Sequence, residues 1–439
     1  MAGAIAAGAG GTSGAPRAKY GPALGLLTTL FFMWGFITVI NDSLLPHLKS
    51  VFNLNYTQTT LIQSIWFIGY FFASLPAAKL IERIGYHKAL VVGLAIMTVG
   101  ALGMIPAARL PSYYVTLGSL FVMSCGIAIL QVAANPYVAV IGPPESSESR
   151  LTLVQGFNTT GDFLAVLFGQ QLILARTVSG TVKEGTQLTF AQRMADAQAT
   201  QLPYLLVAGV LAILAFVIWR ARLPELGAST RRVNAEARRS LSLWRHTNLL
   251  WGVLAIFIYL IAEIGVGSLF INFASQRDIG NVTHEQAANY LMFVWGGMAV
   301  GRFVGSYLMR RIAPEKVLAG FAIGAFLVML VAIFAHGPTA MYGLMAVGLF
   351  HSIMFPTIFA LAIRGLGPLT EEGSGWLIWA IAGGAIVVLQ GTLADMIGIQ
   401  QSFLITAACE LFVLWYALWG SRVPADVNLG SETLSEASE

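Results

Sequence analysis

Long apolar windows, broken by short polar or Gly/Pro-containing turns, run along almost the whole chain. Each has about the 20 residues that an α-helix needs to cross a bilayer. The pattern predicts twelve helices, the first six at about 22–46, 58–80, 88–107, 112–140, 150–174 and 202–221. The second six fall at about 247–273, 284–308, 315–336, 338–363, 372–396 and 400–420. This is an all-α membrane protein of twelve transmembrane helices, organised as a six-helix half over 22–221, a linker over 222–246 and a second six-helix half over 247–420. Residues 1–21 and 421–439 read as disordered tails, and an even number of spans puts both on one side.

Charge decides which side. Charged residues are only 10% of the chain and hydrophobic ones 56%, against about 25% charged in soluble domains. Segments on the side of the tails hold 18 Lys and Arg, those on the other side 6, with Arg302 inside the eighth helix. The positive-inside rule then places both termini in the cytoplasm. The basic stretch "RRVNAEARR" in the linker and the +4 net charge follow from this topology, so no nucleic-acid surface is expected. The outer stretch 176–200 fits a short amphipathic helix, without an evident function. Cys125 and Cys409 lie in apolar runs with no CxxC or His-rich neighbour, which predicts neither a metal site nor a cofactor. The Gly/Ala-rich start lacks a basic segment followed by a Leu-rich one, unlike a cleaved signal.

The halves echo each other. "AKLIERIGYHK" after helix 2 is matched 227 residues on by "GSYLMRRIAPEK" after helix 8, aligning Gly69, Ala78 and Arg83 with Gly296, Gly305 and Arg310. Internal repeats of this kind build many secondary transporters, with the substrate near the midplane between them.

Intramembrane polar residues fall into stripes. Trp34, Thr38, Asn41 and Asp42 share one face of helix 1, Gln131 and Asn135 one face of helix 4, and Gln155, Asn158 and Asp162 one face of helix 5. Any single amide could simply glue helices together. Three such stripes in one half point to a polar cavity, and amides that donate and accept together suit a polyhydroxyl ligand whose apolar face stacks on an indole. In the second half Tyr259 and Glu263 share a face of helix 7, with Asn272 beyond. His351, Ser352 and Phe355 lie on helix 10, and Trp376, Trp379 and Gln390 on helix 11. Glu263 lies too deep to reach water except through a cavity. Arg302 reads as structural, its head snorkelling toward Arg310. Glu410, Glu371 and Glu372 read as packing or end charges.

"AKLIERIGYHK" resembles the loop signature of the major facilitator superfamily, which Glu82, Arg83, Gly85 and Lys88 fit, while Ala78, Tyr86 and His87 depart from it. "WGFITVINDSLLPHLK", "GIAILQVAANPYVAVIGPPESSESRLTLVQGFNTTG", "WGGMAVGRFVGS", "GLFHSIMFPTIFALAI" and "GSGWLIWAIAGGAIV" are similar to the fucose:proton symporter family, closest to its bacterial glucose/galactose permease branch. The resemblance implies a monomeric, multi-pass sugar symporter of the bacterial inner membrane that works by alternating access. Glu82, Arg83, Gly85 and Arg310 would then belong to conformational gating loops. Asp42 matches the family's coupling aspartate on helix 1, Gln155 and Asn158 match its helix 5 amides, and Gln131 stands where fucose carriers have a glutamate.

The expected function is proton-coupled import of a hexose, glucose or galactose, with Asp42, Glu263 and Asp162 as coupling candidates. Trp34, Thr38, Asn41, Gln131, Asn135, Gln155, Asn158, Tyr259, His351, Phe355 and Trp379 are the candidates for sugar binding. A carboxylate shut away from water favours its protonated form and releases the proton when its side opens. Sodium is the rival coupling ion, since a carboxylate with Asn, Thr and carbonyl oxygens also binds it. A facilitative carrier, a carrier for fucose or N-acetylglucosamine, and a sugar sensor or channel stay open at this point. No HExxH or GxSxG set points to an enzyme.

Overall fold

The computed structural model describes residues 20–43, 56–109, 112–173, 200–221 and 242–424, together with 189, 198, 223 and 224. Most of both tails, most of the linker and nearly all of the 176–200 stretch lie outside the described residues. So do the side chains of Asn41 and Asp42, although helix α1 runs through both positions.

The N-terminal half contains α1 (Gly21–Ser43), α2 (Tyr56–Ile84), α3 (Tyr86–Arg109), α4 (Tyr113–Val140), α5 (Ser147–Ile173) and α6 (Gln201–Arg220). The C-terminal half contains α7 (Thr247–Ala274), α8 (His284–Leu308), α9 (Pro314–Phe334), α10 (Pro338–His351 and Met354–Ala362), α11 (Thr370–Trp379 and Val387–Ile397) and α12 (Ile399–Ser402 and Leu404–Trp415). Eleven of these helices are long and apolar enough to cross a membrane. The twelfth, α5, has 27 residues, about 40 Å at 1.5 Å per residue, and carries the polar stripe Gln155, Asn158 and Asp162.

The packing repeats with the sequence. In the first half α3 packs on α4 and α6, α1 on α5, and α2 on α4; six helices later α9 packs on α10 and α12, α7 on α11, and α8 on α10. Small residues allow the close approaches: a Cβ on Gly93 would come within 3.1 Å of the Gly126 carbonyl oxygen, and Gly126 faces Gly93 in return. Between the turns, Gly85 closes α2 with φ +84°, a left-handed conformation that only glycine adopts cheaply.

Besides α12, which is interrupted at the single residue Phe403, two expected helices are not continuous. α10 breaks at Ser352 and Ile353 because Pro356, four residues on, has no N–H for the Ser352 carbonyl. α11 passes through a 3-10 turn, Ala380–Ile386, in the glycine-containing stretch AIAGGAI. The breaks fall where the halves meet, since α2 packs on the first segment and the 3-10 turn of α11, and α5 packs on α8 and on the second segment of α10.

Candidate functional site

A cavity of about 480 Å³ lies between the halves, within the range of about 300–1,000 Å³ typical of small-molecule sites. From α1 it takes Trp34, Gly35, Thr38 and Val39; from α2, Tyr70; from α4, Gln131; and from α5, Asn158, Asp162 and Phe163. The C-terminal half supplies Met292 and Trp295 of α8. The close crossing of α1 and α5 makes this wall: a Cβ on Gly35 would collide with the Asn158 carbonyl oxygen and come within 2.6 Å of Asp162 Oδ1. Asn158 donates from Nδ2 to the Phe31 carbonyl at 2.8 Å, which fixes its amide across that crossing. Gln131 donates from Nε2 to the Tyr70 hydroxyl at 2.5 Å. The Thr38 hydroxyl bonds back to the Trp34 carbonyl at 3.0 Å. The wall therefore offers amides, hydroxyls, one carboxylate and indoles from both halves.

One turn deeper, Gln155 donates from Nε2 to Asn135 Oδ1 at 3.1 Å, and both residues are buried. Asn135 Nδ2 finds no partner among the described residues. Arg302 closes this level from α8. Its Nη1 donates to the Gln155 carbonyl at 2.8 Å and to the Thr159 hydroxyl, and its Nε donates to the Ser352 carbonyl at 3.0 Å. That is the carbonyl freed by Pro356. Arg302 is thus not a snorkelling residue: it is 7% exposed and turns inward, because neutral acceptors on α5 and at the α10 break solvate it better than an apolar path to the surface would.

Further along, the halves are pinned at the face where α1 begins and α12 ends, called here the terminal face. Ser149 and Ser306 exchange hydroxyl-to-carbonyl bonds of 2.7 and 2.8 Å. Arg364 pairs with Glu148 of α5 at 2.7 Å and with Glu315 of α9. Burial would lower the Arg364 pKa, but the bonds and charges of Glu148 and Glu315 outweigh it and hold the group above its ordinary value. Of the loop residues singled out in the sequence, Arg310 reaches Ser149 Oγ at 3.4 Å, Gly85 makes the tight turn, and Glu82 and Arg83 end α2 beside it.

The structure gathers Trp34, Thr38, Gln131, Asn158 and Asp162 at the cavity, with Asn135 and Gln155 beneath it. The other candidates sit elsewhere. His351 and Glu410 form a fully buried pair, with Nε2 and Oε1 2.6 Å apart, so Glu410 is no end charge. Tyr259 is buried and donates to the His351 carbonyl at 3.0 Å. Phe355 packs against Phe359 with ring centroids 6.1 Å apart, and Trp379 lies 5.4 Å from Phe71 at the contact of α2 and α11. Glu263 is half-buried on α7, within electrostatic reach of Arg302 and His351. Sequence reasoning missed Tyr70, Phe163, Met292, Trp295 and the inward course of Arg302. Tyr70 and Trp295 carried a signal, a polar-tipped aromatic deep inside an apolar span, where the hydroxyl or indole N–H needs a partner.

With two six-helix halves around a shared cavity, comparison with known proteins becomes specific. Residues 23–387 match the Major Facilitator Superfamily. The chain belongs to that superfamily. The glucose/galactose transporter of Brucella abortus is 44% identical over 412 residues, covering 94% of this chain and 97% of that protein. The L-fucose-proton symporter of Escherichia coli is 34% identical over 406 residues, covering 90% of this chain and 92% of its own length. Among solved structures, FucP in the outward conformation superposes with a TM-score of 0.81 at 33% identity, covering 92% of this chain and all of that one. The resemblance read from the loop after helix 2 and from the longer motifs is borne out, and this Major Facilitator Superfamily member is a multi-pass membrane protein.

Proposed function

We propose that the chain is a secondary active transporter that imports a hexose, glucose or galactose, by proton-coupled symport with alternating access. The observation that carries the reading is the cavity itself, in which indoles from opposite halves, Trp34 and Trp295, flank Gln131, Asn158 and Asp162. Stacking on indoles and bidentate amide bonding are the two interactions a pyranose offers, one for its apolar face and one for its hydroxyls. The names of the Brucella and Escherichia relatives, a glucose/galactose transporter and a fucose-proton symporter, support the sugar and the proton respectively.

In this reading the terminal face is cytoplasmic, in a bacterial inner membrane, and the protein acts as a monomer. The bonds at that face close the cytoplasmic side and leave the cavity to the outside. Sugar and proton enter together; the halves then close over them and part at Ser149–Ser306 and Arg364–Glu148. Asp42 is the principal coupling acid, with Asp162 and Glu263 as the further candidates. One coupled proton is sufficient energetically, since a membrane potential of ~100 mV contributes ~2.3 kcal/mol per charge and tenfold accumulation of a neutral sugar needs only ~1.4 kcal/mol. A symporter changes shape only because the loaded cavity binds the closed form better.

The test is uptake of labelled glucose and galactose into proteoliposomes, with inward proton and sodium gradients imposed separately. Accumulation with protons alone is the expected result. Accumulation only with sodium would make the carboxylates cation ligands, and equilibration without accumulation would make the protein a facilitative carrier.

A further inference from the structure

The C-terminal half buries more charge than the cavity uses. His351 ends the first segment of α10, Glu410 sits within α12, and they are 2% and 0% exposed with Nε2 and Oε1 2.6 Å apart. Glu410 Oε2 is buried with no hydrogen-bond partner among the described residues. Whichever tautomer the ring adopts, a single proton lies between imidazole and carboxylate.

The groups facing the pair come from three directions. α7 brings Tyr259, whose ring meets the imidazole edge-on at 5.6 Å, and Glu263, one turn on and within electrostatic reach of both Tyr259 and His351. α8 brings Arg302, and α12 itself the adjacent Cys409. α9 packs along α10 and α12, and its titratable residues, Glu315 and Lys316, are confined to its first turn.

Counting charge in this cluster restricts where protons can be. Arg302 is always cationic, so with Glu263 and Glu410 both ionised and His351 neutral the cluster carries one net negative charge. A buried uncompensated charge is unfavourable. Adding one proton restores neutrality in either of two ways, as an imidazolium with both carboxylates ionised, or as a neutral imidazole with one carboxyl protonated. Passing between them across the 2.6 Å contact breaks one O–H bond at Glu410 and forms one N–H bond at His351, with no change in net charge or redox state. The cluster is therefore built to take up one proton and to hold it at either end.

Its location gives that proton a mechanical consequence. The His351 carbonyl accepts from Tyr259, and the neighbouring Ser352 carbonyl accepts from Arg302, which also holds α5 of the other half. The pair thus sits on the α10 break through which the two halves are tied.

We propose that His351 and Glu410 form a proton-binding site in the C-terminal half, whose proton is taken up in addition to the proton on the cavity acid. The inference rests on the proton-symport reading. Each proton that must bind with the sugar makes the apparent sugar affinity fall tenfold per pH unit above the site's titration. The experiment is sugar counterflow in proteoliposomes of the full chain, with the half-saturating glucose or galactose concentration followed against pH.

The wild type should fall more than tenfold per unit at high pH. Glu410→Gln keeps a hydrogen-bonding group on His351 and should lose one factor of ten from the slope, with Glu410→Asp restoring it. A Glu410→Gln slope equal to wild type would overturn the proposal. So would a wild-type slope no steeper than tenfold, a result that needs no variant to fold. A wild type that does not accumulate sugar with protons at all would instead remove the symport reading beneath it.

Discussion

Arg302→Met removes the guanidinium that joins α5 to the α10 break and puts an apolar side chain of similar length beside Met298. Of the three bonds from Arg302 to oxygen, that to Ser352 stays within the C-terminal half, while those to the Gln155 carbonyl and the Thr159 hydroxyl cross the interface. Only the crossing bonds must break when the terminal face opens. A hydrogen bond from a charged donor contributes about 1.5–3 kcal/mol net, so two of them favour the closed terminal face by about 3–6 kcal/mol. Even the lower end is about a hundredfold in the ratio of closed to open forms. Spin labels at the exposed positions Glu145, before α5, and Lys316, at the start of α9, read the separation of the halves at this face. The expected result is a shift from the short-distance population of the wild type to a longer one that dominates in Arg302→Met. Arg302→Lys, which keeps the charge but loses the planar fork, should fall between. A distance distribution identical to wild type in Arg302→Met would refute the reasoning and reduce Arg302 to a packing residue.

Further outcomes follow from the same geometry. Asp42→Asn should abolish sugar accumulation while leaving exchange measurable, and a variant that still concentrates sugar would remove Asp42 from coupling. Trp295→Ala, by deleting one indole wall of the cavity, should weaken apparent sugar affinity about tenfold, or ~1.5 kcal/mol, as read by counterflow. Gly85→Ala forces a Cβ into a φ of +84° and should destabilise the protein by about 1 kcal/mol, seen as a lower melting temperature. Arg364 has a raised pKa, and a raised pKa gives stabilisation that is fully present below the ordinary arginine value and is lost only as pH rises through the folded one. Arg364→Met should therefore open the terminal face by the same factor, relative to wild type, at pH 6 and at pH 8, as read by the Glu145–Lys316 distance; a factor that grew at pH 8 would contradict this.

The sequence by itself determined the number and order of the helices, the two halves and the polar stripes. Hydrophobic length and a 3.6-residue period depend only on residues close together in the chain. The stripes of α1 and α5 were therefore legible, and Trp34, Thr38, Asn158 and Asp162 do meet at one cavity. Tertiary structure decided what each stripe faces. Gln131 and Asn135 are one turn apart on the same helix, yet one lines the cavity and the other lies beneath it, because the bonding partners Tyr70 and Gln155 come from different helices. Arg302 bonds to Gln155 across 147 residues of chain, and His351 to Glu410 across 59. No local pattern encodes pairings at such separations. They follow from where breaks such as that at Pro356 leave a carbonyl without its helical donor, and from which buried charge then lies close enough to take it.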